Sequence, residues 1–355
     1  MIRIVAFTLV WLFCGAATYV WAGDDGPTRN DAVADRMLAV QTASGGWPKH
    51  VGGRAVDYDA PFDDAARAAL AAPDRADEAT IDNHATTREI RHLAAAWSTT
   101  RNPAYLDAAR RGVDYLLAAQ YANGGWPQFH PDRSSYRAQV TFNDDAMTHV
   151  VDLLQDIAEG EAALSALTAD RGAQAGAAAA RAIALILDLQ VRIDGVPTIW
   201  AAQYDQDSLQ PATARSYELA SLASSESVSI VRLLLRQPAP SPRVVAAVDA
   251  AEAWFRAHGL PDLAFERSRR GDTAGARLLA QPGATLWARF YDLQHQQPLL
   301  VDRGGQIVPT LDAMSRERRD GYAWYGIWPQ QLLERDLPAW RTRHGLPPTS
   351  SHAVP

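Results

Sequence analysis

The chain has 355 residues, of which 47% are hydrophobic and 21% charged, and its formal net charge is −7. This length suits one large domain or two modest ones, with enough apolar residues for a substantial core. Nucleic-acid-binding proteins usually have a basic surface, so the acidic balance argues against that class. An acidic ligand would need a local basic pocket or a bridging cation.

The first 22 residues are predicted to be a secretory signal peptide. Arg3 precedes a long apolar stretch, and Ala22 offers a small residue at a cleavage site. The alternative is an uncleaved membrane anchor. Cleavage would remove Cys14, the only cysteine, so the exported protein would depend on its core rather than on disulfides. We therefore expect a secreted or periplasmic protein with no membrane segment in its mature form.

Helical periodicity dominates the rest of the chain and predicts an all-α fold, with no convincing series of alternating strands. Residues 23–345 are predicted to form one domain, followed by a loose tail over 346–355. The whole stretch after Trp340 is predicted to be loosely held, and 236–243 to be a surface connection. The predicted helices cover residues 104–120, 145–160, 162–190, 226–236 and 285–295.

An internal repeat links QTASGGWPKH, residues 41–50, with QYANGGWPQF, residues 120–129. Each copy ends a predicted helix at its Gln, and the paired glycines can take positive φ before a Trp-Pro pair that stops the helix. A degenerate third copy begins at Gln190. Three such units predict helical hairpins arranged in a ring, with loops that converge on a central cleft. Alternatively, the GGWP segments are only structural turns.

Two polar segments that follow the repeats, TIDN at 80–83 and TFNDD at 141–145, place Asp82 and Asp144 at what we take to be equivalent positions. Asp beside Thr before a helix is also an ordinary N-cap, which is the competing interpretation. If both loops face one cleft, their oxygens suit Ca²⁺, with substrate and water completing the shell. The sequence shows no zinc motif, P-loop or GxSxG nucleophile.

Basic residues supply the remaining candidates. Lys49 is the single lysine beside 33 arginines and lies within a GGWP repeat, where chance or a need for a compact ammonium would explain it. Arg215 lies where the ring places a cleft loop. Arg267 and Arg303 belong to short Arg- and Gly-containing segments, although most arginines of such a chain are expected at the surface.

Seven segments in order resemble the signature of the family 10 polysaccharide lyases, the pectate lyases, from about Asp31 to Trp340. They are GGWPKH, TIDNHATT, YANGGWPQF, TFNDDAM, AQYDQDSLQPATARSYE, LWARFYDL and ERRDGYAWYG. The resemblance implies an (α/α)3 toroid of helical hairpins with long loops lining a central cleft. It also implies calcium-dependent β-elimination of the α-1,4 bonds of polygalacturonate, which yields 4,5-unsaturated oligogalacturonides.

The resemblance also implies roles for individual residues. Arg215 would abstract the C5 proton, and Asp144 and Asp82 would form the calcium and substrate-carboxylate region. Lys49 and Arg303 would contact substrate carboxylates, and we extend the predicted substrate-binding set to Asn143 and Arg267. Two positions depart from the family pattern, His84, which often is Gly, and Tyr204, which often is His; either could reshape the cleft.

Arginine is an unusual base, because its pKa normally exceeds 12. Cations near Arg215, namely Lys49, Arg303 and Ca²⁺, would favour its neutral form by repulsion. Three alternatives stay open from the sequence: a glycoside hydrolase that uses Asp82 and Asp144 as acid and base, a non-catalytic binder of pectic fragments, and a structural scaffold. The expected ligands are polygalacturonate or oligogalacturonides, not nucleic acid, and the expected state is a monomer.

Overall fold

The computed structural model describes residues 30–72, 75–268 and 274–347. The predicted signal peptide lies outside the described residues, as does the tail from residue 348 onward. Within the described part of the chain, no helix combines the length and the apolar character that crossing a membrane requires.

Helices make up most of the regular structure, as the apolar periodicity predicts. All five apolar residues predicted to share one face of residues 145–160, from Met147 to Ile157, are buried. The helices are α1 (Ala32–Val40), α2 (Asp64–Leu70), α3 (Thr87–Thr100), α4 (Pro103–Ala119), α5 (Ala146–Glu159), α6 (Ser165–Asp188), α7 (Ser224–Leu235), α8 (Pro242–Ala257), α9 (Arg316–Asp320), α10 (Trp328–Gln331) and α11 (Leu337–His344). A π-helical turn, Leu332–Asp336, joins the last two.

The strands are short, apart from one hairpin. They are β1 (His50–Val51), β2 (Arg54–Ala55), β3 (Val140–Thr141), β4 (Arg192–Ile193), β5 (Val196–Pro197), β6 (Gln203–Tyr204), β7 (Leu222–Ala223), β8 (Leu260–Glu266), β9 (Arg277–Ala288), β10 (Phe290–Tyr291), β11 (Leu300–Val301), β12 (Ile307–Val308) and β13 (Tyr325–Gly326). All pairings are antiparallel, and the largest sheet has the order β13-β9-β8.

The helices form two layers. Helices α1, α4, α6 and α8 contact one another in that order, and we call them the first layer. Helices α1, α3, α5, α7 and α10 also contact in order, and α3, α5, α7 and α10 form the second layer. Within each unit the two layers pack as the pairs α3/α4, α5/α6 and α7/α8. This arrangement is the predicted α/α toroid of helical hairpins.

The repeated glutamines tie the first layer together. Each donates its side-chain amide to a carbonyl of its own turn and to a carbonyl of the next first-layer helix. These bonds run from Gln41 to Gly45 (2.7 Å) and Ala108 (2.9 Å), from Gln120 to Gly124 (3.0 Å) and Ala178 (2.9 Å), and from Gln190 to Thr198 (2.9 Å) and Ala247 (2.9 Å). The third, degenerate copy of the repeat is therefore confirmed.

Close approach between neighbouring helices explains the first glycine of each GGWP pair. Gly124 has φ +99°, and a Cβ there would lie 2.6 Å from the carbonyl oxygen of Arg181 in α6. Gly45 has φ +94°, and a Cβ there would lie 2.6 Å from the carbonyl oxygen of Arg111 in α4. Only glycine adopts such a conformation without strain.

The GGWP tryptophans are structural. Trp47 and Trp126 are fully buried, and each indole N–H donates to a carbonyl near the end of the preceding first-layer helix. Trp200 and Trp287 make the same bond, which reveals a fourth corner that the sequence analysis missed. The acceptors are Met37 (2.8 Å), Leu116 (2.7 Å), Ile186 (2.7 Å) and Phe255 (2.9 Å), respectively.

The predicted helix over 285–295 is wrong, because this segment forms the fourth corner. It runs through β9 and β10 into a turn over 292–297. The hydroxyl of Tyr291 donates to the His258 carbonyl (2.9 Å), as the hydroxyl of Tyr204 donates to the Leu189 carbonyl (2.8 Å). Tyr204 is thus a buried corner residue, and its ring meets that of Phe142 edge-on, directly before the turn that begins at Asn143.

The β8–β9 hairpin was also not predicted. Most of its residues are exposed or half-buried on both faces, so the sequence lacks the inside–outside alternation that marks a strand.

At the other end of the domain, α11 continues to His344, and Arg341 pairs with Asp249 and Glu252. The stretch directly after Trp340 is therefore held by the fold, contrary to the prediction of a loose segment there.

Candidate active site

Two tight turns precede second-layer helices and pack against each other: Asp82–His84 before α3, and Asn143–Asp145 before α5. In both turns the second and third residues have positive φ, 50° and 63° in the first, 50° and 62° in the second. The backbones therefore align Asp82 with Asn143 and Asn83 with Asp144. The two carboxylates belong to equivalent turns but are offset by one residue, which corrects the predicted equivalence.

Neither carboxylate acts as a helix cap. The N-cap residues of α3 and α5 are Thr86 and Asp145, and neither makes a side-chain capping bond. Asp82 is only 2% exposed, and its Oδ2 pairs with the Lys49 ammonium. Its Oδ1 is buried without a hydrogen-bond partner among the described residues. Lys49 thus serves a buried carboxylate and remains partly accessible at 26% exposure.

Asp144 is the accessible carboxylate of the pair of turns. It is 39% exposed, its Oδ2 accepts from Asn143 Nδ2 (2.9 Å), and its Oδ1 accepts from Arg289 Nη2 (3.1 Å). Arg289 also pairs with the buried Glu226. Burial, reinforced by Glu226, raises the pKa of the neighbouring Asp145 to about 7. Asp144 is therefore held by an amide and a guanidinium, with lone pairs left for a ligand.

Arg215 lies on the exposed side of a second cluster. Its Nε donates to Glu218 Oε2 (2.7 Å), its Nη2 pairs with Glu218 Oε1, and its guanidinium carbon lies 5.0 Å from the centre of the Tyr217 ring. The hydrogen bonds that Arg215 donates to the Glu218 carboxylate raise the pKa of Arg215 above its usual value. The expectation that neighbouring cations favour neutral Arg215 is therefore wrong for this arrangement, because its nearest charge is a carboxylate.

Arg303 and Arg215 converge on the same tyrosine. The guanidinium carbon of Arg303 lies 4.8 Å from the centre of the Tyr217 ring, and its Nε donates to Glu317 Oε2 (3.0 Å). The structure thus brings together two predicted site residues that are separated by 88 positions.

Arg318 lies behind them and was missed by the sequence analysis. It is 5% exposed, and its guanidinium carbon lies 3.9 Å from the centre of the Tyr217 ring and 4.3 Å from that of Tyr322. Its Nε and Nη2 are buried without hydrogen-bond partners among the described residues, and burial lowers its pKa. The residue lies in ERRDGYAWYG, a segment that the sequence marks as important without saying which arginine matters.

Tyr322 connects the two clusters, because Arg289 lies 4.9 Å from the centre of its ring on one side and Arg318 lies against it as well. The acidic turns with Asp144 and the arginines around Tyr217 are therefore joined by one network of contacts through Arg289, Tyr322 and Arg318. A polyanion bound there would meet carboxylates at one end and guanidinium groups at the other.

The remaining predicted residues are placed as follows. Arg267 lies in a separate groove beside the β8–β9 hairpin, not with Arg215. His84 is exposed, and its ring lies against that of His149 with 3.9 Å between ring centres and a tilt of 32°. Arg269 and Arg270, which belong to the same arginine-rich segment as Arg267, lie outside the described residues.

The two acidic turns offer few oxygen donors for a calcium ion. No group of three or more His, Cys, Asp or Glu side chains within the described ranges could hold a metal ion. The adjoining turns nevertheless provide the unpartnered Oδ1 of Asp82 and the accessible carboxylate of Asp144. Hard oxygen donors in this small number fit a cation whose shell is completed by substrate and water, rather than a closed protein cage.

Comparisons with known proteins agree with the observed fold. The model of the family "Pectic acid lyase" matches residues 41–333. A family 10 polysaccharide lyase from Cellvibrio cellulosa has 30% identity and a TM-score of 0.78, with 87% of this chain and 92% of that chain covered. An aspartate-to-alanine mutant of family 10 polysaccharide lyase from the same organism, in complex with trigalacturonic acid, has 30% identity, a TM-score of 0.77, and 86% and 92% coverage. A search of curated proteins finds no match.

Proposed function

Because the chain belongs to the pectic acid lyase family, and is therefore a lyase that acts on pectate, we propose calcium-dependent β-elimination with Arg215 as the base. The reaction would cleave α-1,4 bonds of polygalacturonate and release 4,5-unsaturated oligogalacturonides. The observation that carries the proposal is the network of contacts that joins Asp82 and Asp144 to the arginines around Tyr217. It supplies both signs of charge that a cation-bridged polyanion requires.

Asp82 and Asp144 would hold the calcium ion. When bound, calcium would neutralise the substrate carboxylate next to C5 and so make the C5 proton more acidic. Lys49 fixes one oxygen of Asp82, while Asn143 and Arg289 orient both oxygens of Asp144. These second contacts keep the carboxylates in place before substrate arrives.

The guanidinium groups would bind the other substrate carboxylates. Arg303 lies at the exposed edge of the Tyr217 cluster, and Arg318 lies deeper with unused N–H groups. A buried guanidinium without a partner is costly, and a substrate carboxylate would satisfy it. Arg318 is therefore preorganised to anchor substrate beside Arg215.

Arg215 would take the C5 proton. The electrons of the C5–H bond form the C4=C5 double bond while the C4–O4 bond breaks, so no water attacks the substrate. Because Glu218 favours protonated Arg215, the arginine must leave this partner or act at high pH. The substrate carboxylates that bind Arg303 and Arg318 do not remove this requirement, so we expect turnover to rise toward alkaline pH.

The proposal includes export and a monomeric state. The apolar N-terminal 22 residues support a signal peptide and hence a secreted or periplasmic location. The ligand of the relative, trigalacturonic acid, supports an oligogalacturonide as ligand of this chain as well.

The first experiment is ultraviolet absorbance of the protein acting on polygalacturonate at alkaline pH, with calcium and then with chelator. An absorbance rise that chelator abolishes would support the calcium-dependent reaction. An undiminished rise in chelator would refute the calcium requirement while leaving the lyase assignment intact. New reducing ends without absorbance would indicate hydrolysis and refute β-elimination.

A further inference from the structure

A second groove lies beside the β8–β9 hairpin, between that hairpin, α10 and the π-helical turn. Its volume is about 1570 Å³, which exceeds the roughly 300–1,000 Å³ of pockets for small ligands. Of the predicted site residues, only Arg267 lines it. A groove of this size is suited to a segment of a long ligand rather than to a single small molecule.

The extended segment before β13 separates this groove from the candidate active site. Tyr322 and Trp324 lie against Arg318, whereas Ala323 and Tyr325 line the groove. Alternate side chains of an extended chain point to opposite faces. The groove and the Arg318 cluster are therefore on opposite sides of the same segment.

The groove presents positive charge on a protein whose net charge is negative. Arg232, Arg256, Arg267 and Arg335 line it, and Glu334 is the only carboxylate among the lining residues. Charge complementarity therefore favours an anionic occupant.

The carboxylates that pair with these arginines lie behind them. Arg335 is 71% exposed and its partner Asp336 is 20% exposed, while Arg256 is 54% exposed and its partner Glu252 is 3% exposed. A ligand in the groove would consequently meet guanidinium groups first.

The groove also has an apolar, aromatic wall. The Trp328 ring lies so close over Gly326 that a Cβ there would be 2.6 Å from a ring atom, which fixes the ring against the backbone of β13. Ile327 beside it is 61% exposed. A fixed, flat aromatic ring offers a packing surface for the apolar face of a sugar.

We propose that this groove is a second binding site for polygalacturonate, separate from the candidate active site. Galacturonate carboxylates would pair with the arginines, and sugar rings would pack on Trp328. This function needs neither the calcium site nor Arg215, and so it goes beyond the proposed catalytic function. A polymer held there stays tethered to the enzyme, which raises its effective concentration at the active site.

The kinetic test compares long polygalacturonate with trigalacturonate as substrates. Arg335→Glu should raise the KM for the polymer roughly fivefold to tenfold and leave kcat/KM for trigalacturonate unchanged. Trp328→Ala should act in the same direction. The matched control is Arg243→Glu, which reverses the charge of another exposed arginine that pairs with one aspartate but does not line the groove. Equal polymer KM values for Arg335→Glu and the control would overturn the proposal.

A binding measurement separates a second site from an extension of the first. Calorimetric titration of Arg215→Lys enzyme with trigalacturonate, in calcium at low salt, should reveal two sites per chain, and adding Arg335→Glu should leave one. A single site before the groove is altered would mean that the groove only extends the active-site cleft. A change in oligomeric state on adding Arg335→Glu would mean that the groove joins copies of this chain; either result overturns the proposal.

Discussion

At the scale of single residues, the role of Arg215 is the central question. Arg215→Lys keeps a positive charge but replaces the planar guanidinium, so we expect kcat to fall about 10²–10⁴-fold while trigalacturonate binding changes little. Absorbance assays and calorimetric titration would measure the two effects. Arg243→Lys, at an exposed site on α8, is the control. Near-normal turnover by Arg215→Lys would eliminate the base assignment.

Glu218 should set the pH at which Arg215 can act. The hydrogen bonds that Arg215 donates to the Glu218 carboxylate raise the pKa of Arg215, so removing the charge of Glu218 with Glu218→Gln should lower that pKa. A base works when deprotonated, and the rising limb of kcat/KM against pH should therefore move to lower pH. The matched change Glu317→Gln removes the carboxylate that pairs with Arg303 and should leave this limb in place. If kcat/KM of both variants rises over the same pH range as that of the wild type, Glu218 does not set the pKa of the catalytic base.

Lys49 should matter through Asp82. The ammonium pairs with a carboxylate that is 2% exposed, and the larger planar guanidinium of Lys49→Arg would displace that carboxylate. We expect the calcium concentration for half-maximal activity to rise roughly 10–100-fold, as is usual when a ligand-orienting contact is lost. Calcium titrations of activity would measure it. Unchanged titrations would mean that an arginine at position 49 works as well as the lysine, so calcium binding does not require a lysine there.

The sequence predicted some site residues and could not predict others. Arg215, Asp82 and Asp144 were predicted through the resemblance and their place in the repeats, and their roles stay predictions. Arg289 and Arg318 lie in the signature segments LWARFYDL and ERRDGYAWYG, but they were missed because the sequence does not say that these arginines lie beside the site. Their roles arise from burial against Asp144, Tyr217 and Tyr322, which are far away in sequence.

At the scale of elements, the corners of the toroid carry stability. Gln120→Ala removes the amide that donates to the Gly124 and Ala178 carbonyls, so we expect a loss of about 1–3 kcal/mol in the free energy of unfolding. The melting temperature should fall by several degrees while the catalytic constants of the folded enzyme stay the same. Gln210→Ala, an exposed glutamine in a turn, is the control. Equal melting curves would show that solvent replaces the bridging amide.

Elements were predictable where one face is buried. Helices α4, α5 and α7 carry the apolar spacing that the packing of two layers imposes. The β8–β9 hairpin carries no such signal, because most of it faces solvent on both sides. Residues 285–295 combine apolar side chains in a spacing that fits a helix, but the Trp287 and Tyr291 bonds to the end of α8 hold them as a corner.

At the scale of the whole molecule, calcium should couple to substrate. Since we assign just two described carboxylates, Asp82 and Asp144, to the calcium ion, calcium alone should raise the melting temperature of Arg215→Lys enzyme little. Calcium with trigalacturonate should raise it more than the two separate effects combined. Asp144→Ala should abolish the extra shift, whereas Asp207→Ala, in an exposed turn, should not. Additive shifts in the Arg215→Lys enzyme would contradict a cation shared between protein and substrate.

The ring itself was predictable from three repeats, since each repeat marks the end of one first-layer helix. The fourth corner was not, because its glutamine and its GGWP letters are absent and 32 residues separate Phe255 from Trp287. The fourth corner shares with the other three a buried indole that donates a hydrogen bond to the preceding helix. The sequence repeats thus predicted the ring of helical hairpins, and the structure was needed to reveal the fourth corner.

The bridging glutamines also bear on how the chain is completed during synthesis. Each glutamine needs a carbonyl that lies 67, 58 or 57 residues further along the chain. A corner that has left the ribosome must therefore wait until the next helical hairpin emerges before its amide has both acceptors. The toroid is consequently a structure that can close in the order of translation, with each newly made unit locking the one before it.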